Sequence, residues 1–556
     1  MPNLSNLPKR IYLRLLKIEN DWRLSRLSRQ VARRAKAHSD QKPITFFNAS
    51  SRLGGMSQNA AFSLLAAWGL QLTGVPVIHF ACRAGMSRCV LGTNPDDDMA
   101  APPCDRCVAQ SQRLFASAPT HWFTYQSNPD LAAKLNGIGL DELSSFEFDF
   151  RSPHRAALKH DQQSAPSAMP LGSIVLPSLR WALRRHHLLD DESTCHLLRE
   201  YILSAYNLAQ EFDAFLAQTN PATVVLFNGL QFPEAAARWV ARQHGIPTIT
   251  HEVSFRPFST FFTRGDATAF PIDIPADFSL NAEQNARLDA YLSQRFNGEF
   301  TMAGIRFWPE MNKLDSDFLR QEKQFEQIVP VFTNVVFDTS QVHANTIFPQ
   351  MFAWLDLILE IIHAHPETLF VIRAHPDEKR PGTRKQSRES VSDWVAHNEV
   401  GQLPNVIFID SQEYLSSYEL IRRAKYVMVY NSSIGLEATL LGIPVLCGGK
   451  ARYTQYPIVH FPQSQQAYRQ KAEELLDAET LNVPESFRRY ARRFYYYQLY
   501  RVSLPLDDYI QAHPTPGYAR LNCFPLQDLF PQNSPTLKAI VDGIVSGKPF
   551  LLSETG

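Results

Sequence analysis

The chain has 556 residues, 44% of apolar type and 20% charged, too hydrophobic for a disordered protein and long enough for about three domains or two large ones. Its 55 basic residues equal its 55 acidic ones, which disfavours a uniformly basic nucleic-acid binder. No uninterrupted run of about twenty apolar residues argues for a membrane span, and the charges recurring through the N-terminus do not suit a signal peptide, so the expectation is a soluble, cytoplasmic α/β protein.

In chain order, the first feature is basic. Residues 1–39 hold ten Lys and Arg against Glu19 and Asp21, a net +8 that the remainder offsets with about −8. Helical spacing of Ile11, Leu15, Ile18 and Trp22, continued by Leu24, Leu27 and Val31, predicts an amphipathic helix over 8–37 flanked by arginines. Two roles are open to it: docking on an anionic membrane surface, or packing on its own domain with a solvated basic face. A strand at Ile44–Phe47 leads to the loop Arg52-Leu53-Gly54-Gly55, where a ligand could approach the backbone, although a plain turn explains it as well. A helix over about Ser57–Leu72 and a strand through Val75–Phe80 follow.

The stretch 83–110 is rich in Pro and Asp and reads as an irregular excursion. Four of the seven cysteines fall between 82 and 107 as Cys82-x6-Cys89-x14-Cys104-x2-Cys107, ending in the tight pair that zinc sites favour. The first reading is structural zinc and the second an iron–sulfur cluster, against unconnected buried thiols. Cys195, Cys447 and Cys523 read as ordinary core residues. Residues 151–170 look like a polar linker.

Regular alternation then returns. Thr223–Phe227, a helix over Pro233–Gln243 and Ile246–Thr250 suggest a parallel sheet, followed by a less regular stretch at 255–325. From Val329 the βα units are cleaner: strands at Val329–Phe337, Leu369–Ile372, Val406–Ile409, Tyr426–Tyr430 and Ile443–Cys447, with helices between them. This is a doubly wound pattern, and in such sheets ligands sit outside the carboxyl ends of the strands. The rule sorts three His-Pro pairs. His365-Pro366 precedes its strand and His513-Pro514 lies in the irregular tail. His375-Pro376 directly follows a strand, so Arg373 and His375 are candidate donors to phosphate oxygens. The strand Tyr426–Tyr430 runs into Asn431-Ser432-Ser433 at a helix start, a candidate anion site with simple N-capping as the plain alternative. Glu437 in the same helix would repel phosphate and suits ribose hydroxyls better.

Together, Thr333-Asn334-Val335 with Asp338, Phe348, Trp354, Arg373-x-His375-Pro376, Asn431-Ser432-Ser433-x-Gly435-Leu436-Glu437-Ala438 and Gly442-x-Pro444-Val445 resemble bacterial capsule polysaccharide biosynthesis glycosyltransferases. Those are similar in turn to Kdo- and sialic-acid-transferring enzymes of the GT-B fold. The resemblance spans about 329–460 and implies two Rossmann-type domains facing a cleft. A nucleotide-sugar donor would be held by Asn334, Asp338, Arg373, His375, Asn431, Ser432, Ser433 and Glu437, and the chemistry would need no metal. The acceptor would be a growing surface polysaccharide or glycolipid, which also favours the membrane role of the first helix. Facing the donor, the N-terminal half offers Glu252 as base, against a structural carboxylate in an interdomain hydrogen bond, and His251 as fallback, after an Asn228-Gly229 turn of the same family's pattern. The implied layout is a basic helix over 1–42 and an acceptor-side domain over 43–325 with the excursion at 82–110. A donor domain over 326–485 and a tail over 486–556 returning to the first domain complete it. Rival readings are a teichoic-acid-type glycerol-phosphate transferase, a nucleotide-sugar epimerase on the same fold, and a non-catalytic glycan- or nucleotide-binding assembly protein.

Overall fold

Apolar, β-branched runs covered on both faces build the core of each half. The computed structural model describes residues 7–36, 40–49, 55–150, 167–298, 312–379 and 386–553. Arg52, Leu53 and Gly54 of the glycine loop, and most of the polar stretch 151–170, lie outside them.

In the first half, five parallel strands lie in the order Thr248–Val253, Thr223–Phe227, Ile44–Asn48, Val77–Cys82, Thr120–Phe123. Two antiparallel strands, Ser259–Thr263 and Leu504–Pro505, extend the edge. The second half is a wholly parallel sheet ordered Val406–Ile409, Thr368–Arg373, Gln327–Phe332, Val427–Val429, Val445–Cys447. In each parallel set the first strand in sequence is central and the order reverses beside it, the doubly wound arrangement whose ligand crevice opens at that switch point. Two such units facing a cleft are the expected GT-B-like architecture.

Two differences from the sequence pattern affect the site. The strand expected to stop at Thr250 continues to Val253, because Ser259–Thr263 folds back and pairs with it, Phe262 opposite His251 and Phe261 opposite Glu252. The excursion is also partly regular, since Cys104–Leu114 is a helix. Beyond the last Rossmann strand, helix Glu485–Tyr500 leads the chain back: Leu504–Pro505 joins the first sheet, Tyr518–Leu521 pairs with Met56–Ser57, and helix Pro535–Ser546 packs on helix Gln58–Leu72.

The N-terminal helix, Leu7–Arg34, divides along its length. Leu24, Leu27 and Val31 are buried in the cluster around Phe62, Trp68 and Leu521, and Arg23 donates to the Leu521 carbonyl at 2.7 Å. At about 1.5–3 kcal/mol per large side chain removed from water, that half is firmly docked. Nearer the start, Ile11, Tyr12, Leu15, Ile18 and Trp22 remain more than half exposed beside Lys9, Arg10, Arg14 and Lys17. Among the described residues no helix is long and apolar enough to cross a membrane.

Candidate functional site

The carboxyl ends of both sheets open on one cleft of about 660 Å³. From the first half come Asn48, Asn228, His251, Glu252 and the start of helix Gln58–Leu72; from the second come Asn334, Asp338, His375, Asn431, Ser432 and Ser433. Contacts across the cleft hold the halves together. Glu389 accepts the backbone N–H groups of His186 and His187 at 2.7 and 2.9 Å, and the Asn228 amide donates to Thr339 Oγ1 at 3.4 Å.

Glu252 is the best-ordered group on the first wall. Its carboxylate accepts from Asn228 at 2.9 Å, Asn59 at 3.2 Å and the Val253 N–H at 2.8 Å. Asn228 reaches it from a left-handed backbone conformation, φ +58°, which Asn tolerates better than most residues. Burial raises the Glu252 carboxyl above its ordinary range, the three donors oppose that shift, and Asp338 across the cleft adds to it. His251 lines the cleft too, but stacks on Phe262 at 5.1 Å, and burial lowers its imidazole to about 3. An imidazole that weak accepts protons poorly, so Glu252 is the better base of the pair.

On the opposite wall, the Asp377 N–H donates to His375 Nδ1 at 3.1 Å, which places the neutral ring's proton on Nε2. Asn334 accepts the Asn431 N–H at 3.2 Å, which ties the loop after the first strand of this sheet to the loop after the fourth, and Asp338 accepts the Ser340 N–H at 2.8 Å within the first of these loops. The Ser432 carbonyl is fixed by the Tyr453 hydroxyl at 2.8 Å. A Cβ at Gly435 would lie 2.4 Å from that hydroxyl, so only glycine admits this packing. His365, by contrast, bridges Glu367 and Glu473 away from the cleft.

Two expected donor residues are placed elsewhere. Arg373 ends its strand buried, with Nη2 3.4 Å from the Glu413 carbonyl, and does not line the cleft. Glu437 is 1% exposed, and both its oxygens are engaged. Oε1 takes Arg295 Nε at 3.0 Å and Nη2 at 2.7 Å, and Oε2 takes the Tyr418 hydroxyl at 2.6 Å. A carboxylate committed to a buried guanidinium is not presented to a ribose, and the expected ribose contact is corrected accordingly.

The cleft also contains cations that the sequence reading missed, Lys450 and Arg452. They follow the last strand, Val445–Cys447, through Gly448-Gly449. A Cβ on Gly448 would meet Trp354 Nε1 at 2.4 Å, so the turn needs glycine. Arg452 stacks on Phe270 at 3.9 Å; burial lowers it to about 10 while Asp338, Tyr453 and Glu252 oppose the shift, so it remains charged at neutral pH. Applying the strand-end rule to the final strand would have found both.

Cys82, Cys89, Cys104 and Cys107 do gather, lining a separate small pocket. Among the described residues no group of three or more His, Cys, Asp or Glu side chains is placed to hold a metal ion. Cys195 and Cys447 are buried as expected, whereas Cys523 is exposed.

Among curated proteins none matches the chain. Solved structures similar to it include the β-Kdo 2,4-transferase of Thermosulfurimonas dismutans KpsC, 12% identical over 56% of this chain and 87% of that one with a TM-score of 0.35. The β-Kdo 2,7-transferase of the same protein is 14% identical over 61% and 90%, with a TM-score of 0.32. A UDP-GlcNAc 2-epimerase from Neisseria meningitidis, bound to UDP-GlcNAc, is 12% identical over 83% and 99%, with a TM-score of 0.24. Residues 307–490, a segment that takes in the motifs of the second sheet, match the family described as capsule polysaccharide biosynthesis protein.

Proposed function

We propose that the protein is a GT-B-type glycosyltransferase that moves a sugar from a nucleotide-sugar donor to a capsule-type polysaccharide or glycolipid acceptor. The observation that carries this reading is the pairing across one cleft of a buried, hydrogen-bonded carboxylate, Glu252, with a wall of phosphate-compatible groups: His375, Ser432, Ser433, Lys450 and Arg452. Donor phosphates would lie on that second wall, where cations and N–H or O–H donors stabilise the charge that develops on the leaving nucleotide. Glu252 would take the proton of the acceptor hydroxyl as its oxygen attacks the sugar carbon, and its raised pKa suits that task near neutrality. In this reading His375, Ser432 and Ser433 would take the phosphate role expected of them, Lys450 and Arg452 would supply the charge expected from Arg373, and no role in the chemistry is given to a metal.

The exposed start of the first helix supports an acceptor at a membrane. Its apolar side chains and its basic neighbours match an anionic lipid surface, with each basic residue there adding on the order of 1 kcal/mol at low salt. The protein would then work as a peripheral enzyme on the cytoplasmic face.

The test is a thermal-shift screen of CMP-, UDP-, GDP- and CDP-linked sugars, followed by transfer assays with the donor that stabilises the fold. Lys450→Met with Ser432→Ala should abolish stabilisation by the donor. Donor epimerised or hydrolysed without any acceptor requirement would favour the epimerase reading, and donor binding without turnover the assembly protein.

A further inference from the structure

One fully buried histidine has no part in the chemistry above. His79 lies in the strand Val77–Cys82 at 0% exposure, stacked on Phe115 at 4.6 Å. Its register partner is Phe46 on the central strand Ile44–Asn48, and Asn48, two residues further on, shares that face of the sheet. Asn48 Nδ2 reaches His79 Nδ1 there, at 3.0 Å.

A third group fixes which atom donates. The same Asn48 nitrogen lies 3.2 Å from the Phe46 carbonyl, which can only accept. The amide N–H groups therefore face Phe46 and His79, and His79 Nδ1 is the unprotonated acceptor. Burial lowers the imidazole to about 3, so the ring stays neutral with its proton on Nε2. Among the described residues that Nε2 has no hydrogen-bond partner. A buried donor left unpaired costs stability, and an apolar ring would fill the same space without that cost. What the histidine gives in return is the orientation of Asn48.

Fixing the amide nitrogen also fixes the oxygen. Asn48 Oδ1 accepts the Ser63 hydroxyl at 3.1 Å, and both residues line the cleft. On helix Gln58–Leu72, Ser63 follows by one turn the Asn59 that donates to Glu252. One face of this helix thus pins the candidate base and, a turn away, the Asn48–Ser63 pair. With the Ser63 proton engaged, that corner offers a ligand the second lone pair of Asn48 Oδ1 and the lone pairs of Ser63 Oγ, acceptors alone. Such a corner takes a hydroxyl and turns away phosphate or carboxylate oxygens. Asn48 also ends the strand beside which the order of the first sheet reverses, the place where a doubly wound sheet binds its ligand. We propose that Asn48 and Ser63 accept one hydroxyl of the acceptor sugar while Glu252 takes the proton of another, and that His79 is a positioning residue acting through Asn48. The inference rests on the glycosyl-transfer reading above.

The experiment uses the full chain, the donor selected by thermal shift and a panel of octyl glycosides as acceptors. Asn48→Ala and His79→Phe should each raise the acceptor KM by about tenfold, the loss of one well-placed hydrogen bond, while donor still raises the melting temperature. The double variant should be no worse than either single one, because His79 acts only through Asn48. His79→Asn, whose amide oxygen can take the place of Nδ1, should recover most of the loss. In protein carrying isotope-labelled histidine, NMR should show the resonance missing from His79→Phe to be a neutral ring protonated at Nε2. Should His79→Phe fail to fold, Asn48→Ala and the His79→Asn comparison keep the test decisive. An unchanged acceptor KM in Asn48→Ala, a further loss in the double variant, or a ring protonated at Nδ1 each overturns the proposal. Wild-type protein that binds donor and passes it to none of the glycosides removes the transfer reading, and this inference with it.

Discussion

Replacing Glu437 separates a structural carboxylate from a ribose ligand. In the fold it joins helix Ile434–Leu440 to Arg295 on helix Ala282–Phe296, with Tyr418 completing the set. Both partners of the ion pair are less than 5% exposed. Glu437→Ala leaves a guanidinium buried without its counter-charge, which costs about 3–5 kcal/mol when one member of a buried pair is removed. The orphaned Tyr418 hydroxyl falls inside that range, since coupled groups do not add. Glu437→Gln keeps the shape and one acceptor but loses the charge. Charge-assisted bonds are about twice as strong as neutral ones, so about half the loss is expected. Arg295→Met combined with Glu437→Leu should recover most of it, because a packed apolar pair needs no desolvated charge. Urea unfolding followed by tryptophan fluorescence reads the stability, and the shift in melting temperature on adding a donor reads the binding. Glu437→Gln with an unchanged urea midpoint and no donor stabilisation would refute the reasoning and return Glu437 to the ribose.

Three further expectations rest on other parts of the molecule. Glu252→Gln should lower kcat by about 10²–10⁴-fold with little change in donor binding. Because burial raises this carboxyl, wild-type kcat/KM should fall on the acid side at a pH above the ordinary carboxylate range, and an acid limb unchanged in Glu252→Gln would exclude it as the base. Leu15→Glu with Trp22→Glu should reduce sedimentation with anionic vesicles at low salt and leave the unfolding midpoint unchanged, whereas the buried Leu27→Ala should cost about 2–5 kcal/mol. Glu378 is fully buried and burial pushes it up to about 8 from 4.5, so the folded state keeps a proton that the unfolded state releases. Its contribution is therefore complete below about pH 4.5 and is lost as pH rises towards 8. At about 1.4 kcal/mol per pH unit, Glu378→Gln should gain about 3 kcal/mol on wild type between pH 6 and 8, and parallel stability curves would contradict that shift.

The second sheet was legible because each of its strands is a short apolar run, covered on both faces, followed at once by polar or glycine punctuation. Thr368–Arg373 is buried at every residue, and the His-Pro pair after it marks its carboxyl end without ambiguity. The first sheet carries weaker signals. Thr120–Phe123, Thr-His-Trp-Phe, has no apolar alternation to read, and its strand character comes from pairing with Val77–Cys82. Ser259–Thr263 is specified by a fold-back onto Thr248–Val253 that no local pattern announces. That fold-back extends the strand and sets the direction in which Glu252 points.

The site divides along the same physical line. Residues at strand ends could be named from sequence because topology alone brings strand ends together: His375, Asn431, Ser432, Ser433, Asn334, Asp338, His251 and Glu252 all reach the cleft. What sequence could not supply was the commitment of each charge. Arg373 and Glu437 carry chemistry as suitable as that of Arg452, but their positions on strand and helix direct them into the interior. Glu437 is claimed there by Arg295, 142 residues earlier in the chain. Arg452 stacks on Phe270 from the first half, 182 positions away, and that contact keeps its charge within reach of Asp338 and Glu252. A charge becomes part of a site only when long-range packing leaves it facing the cleft, and in this fold the decisive packing partners lie in the other half of the chain.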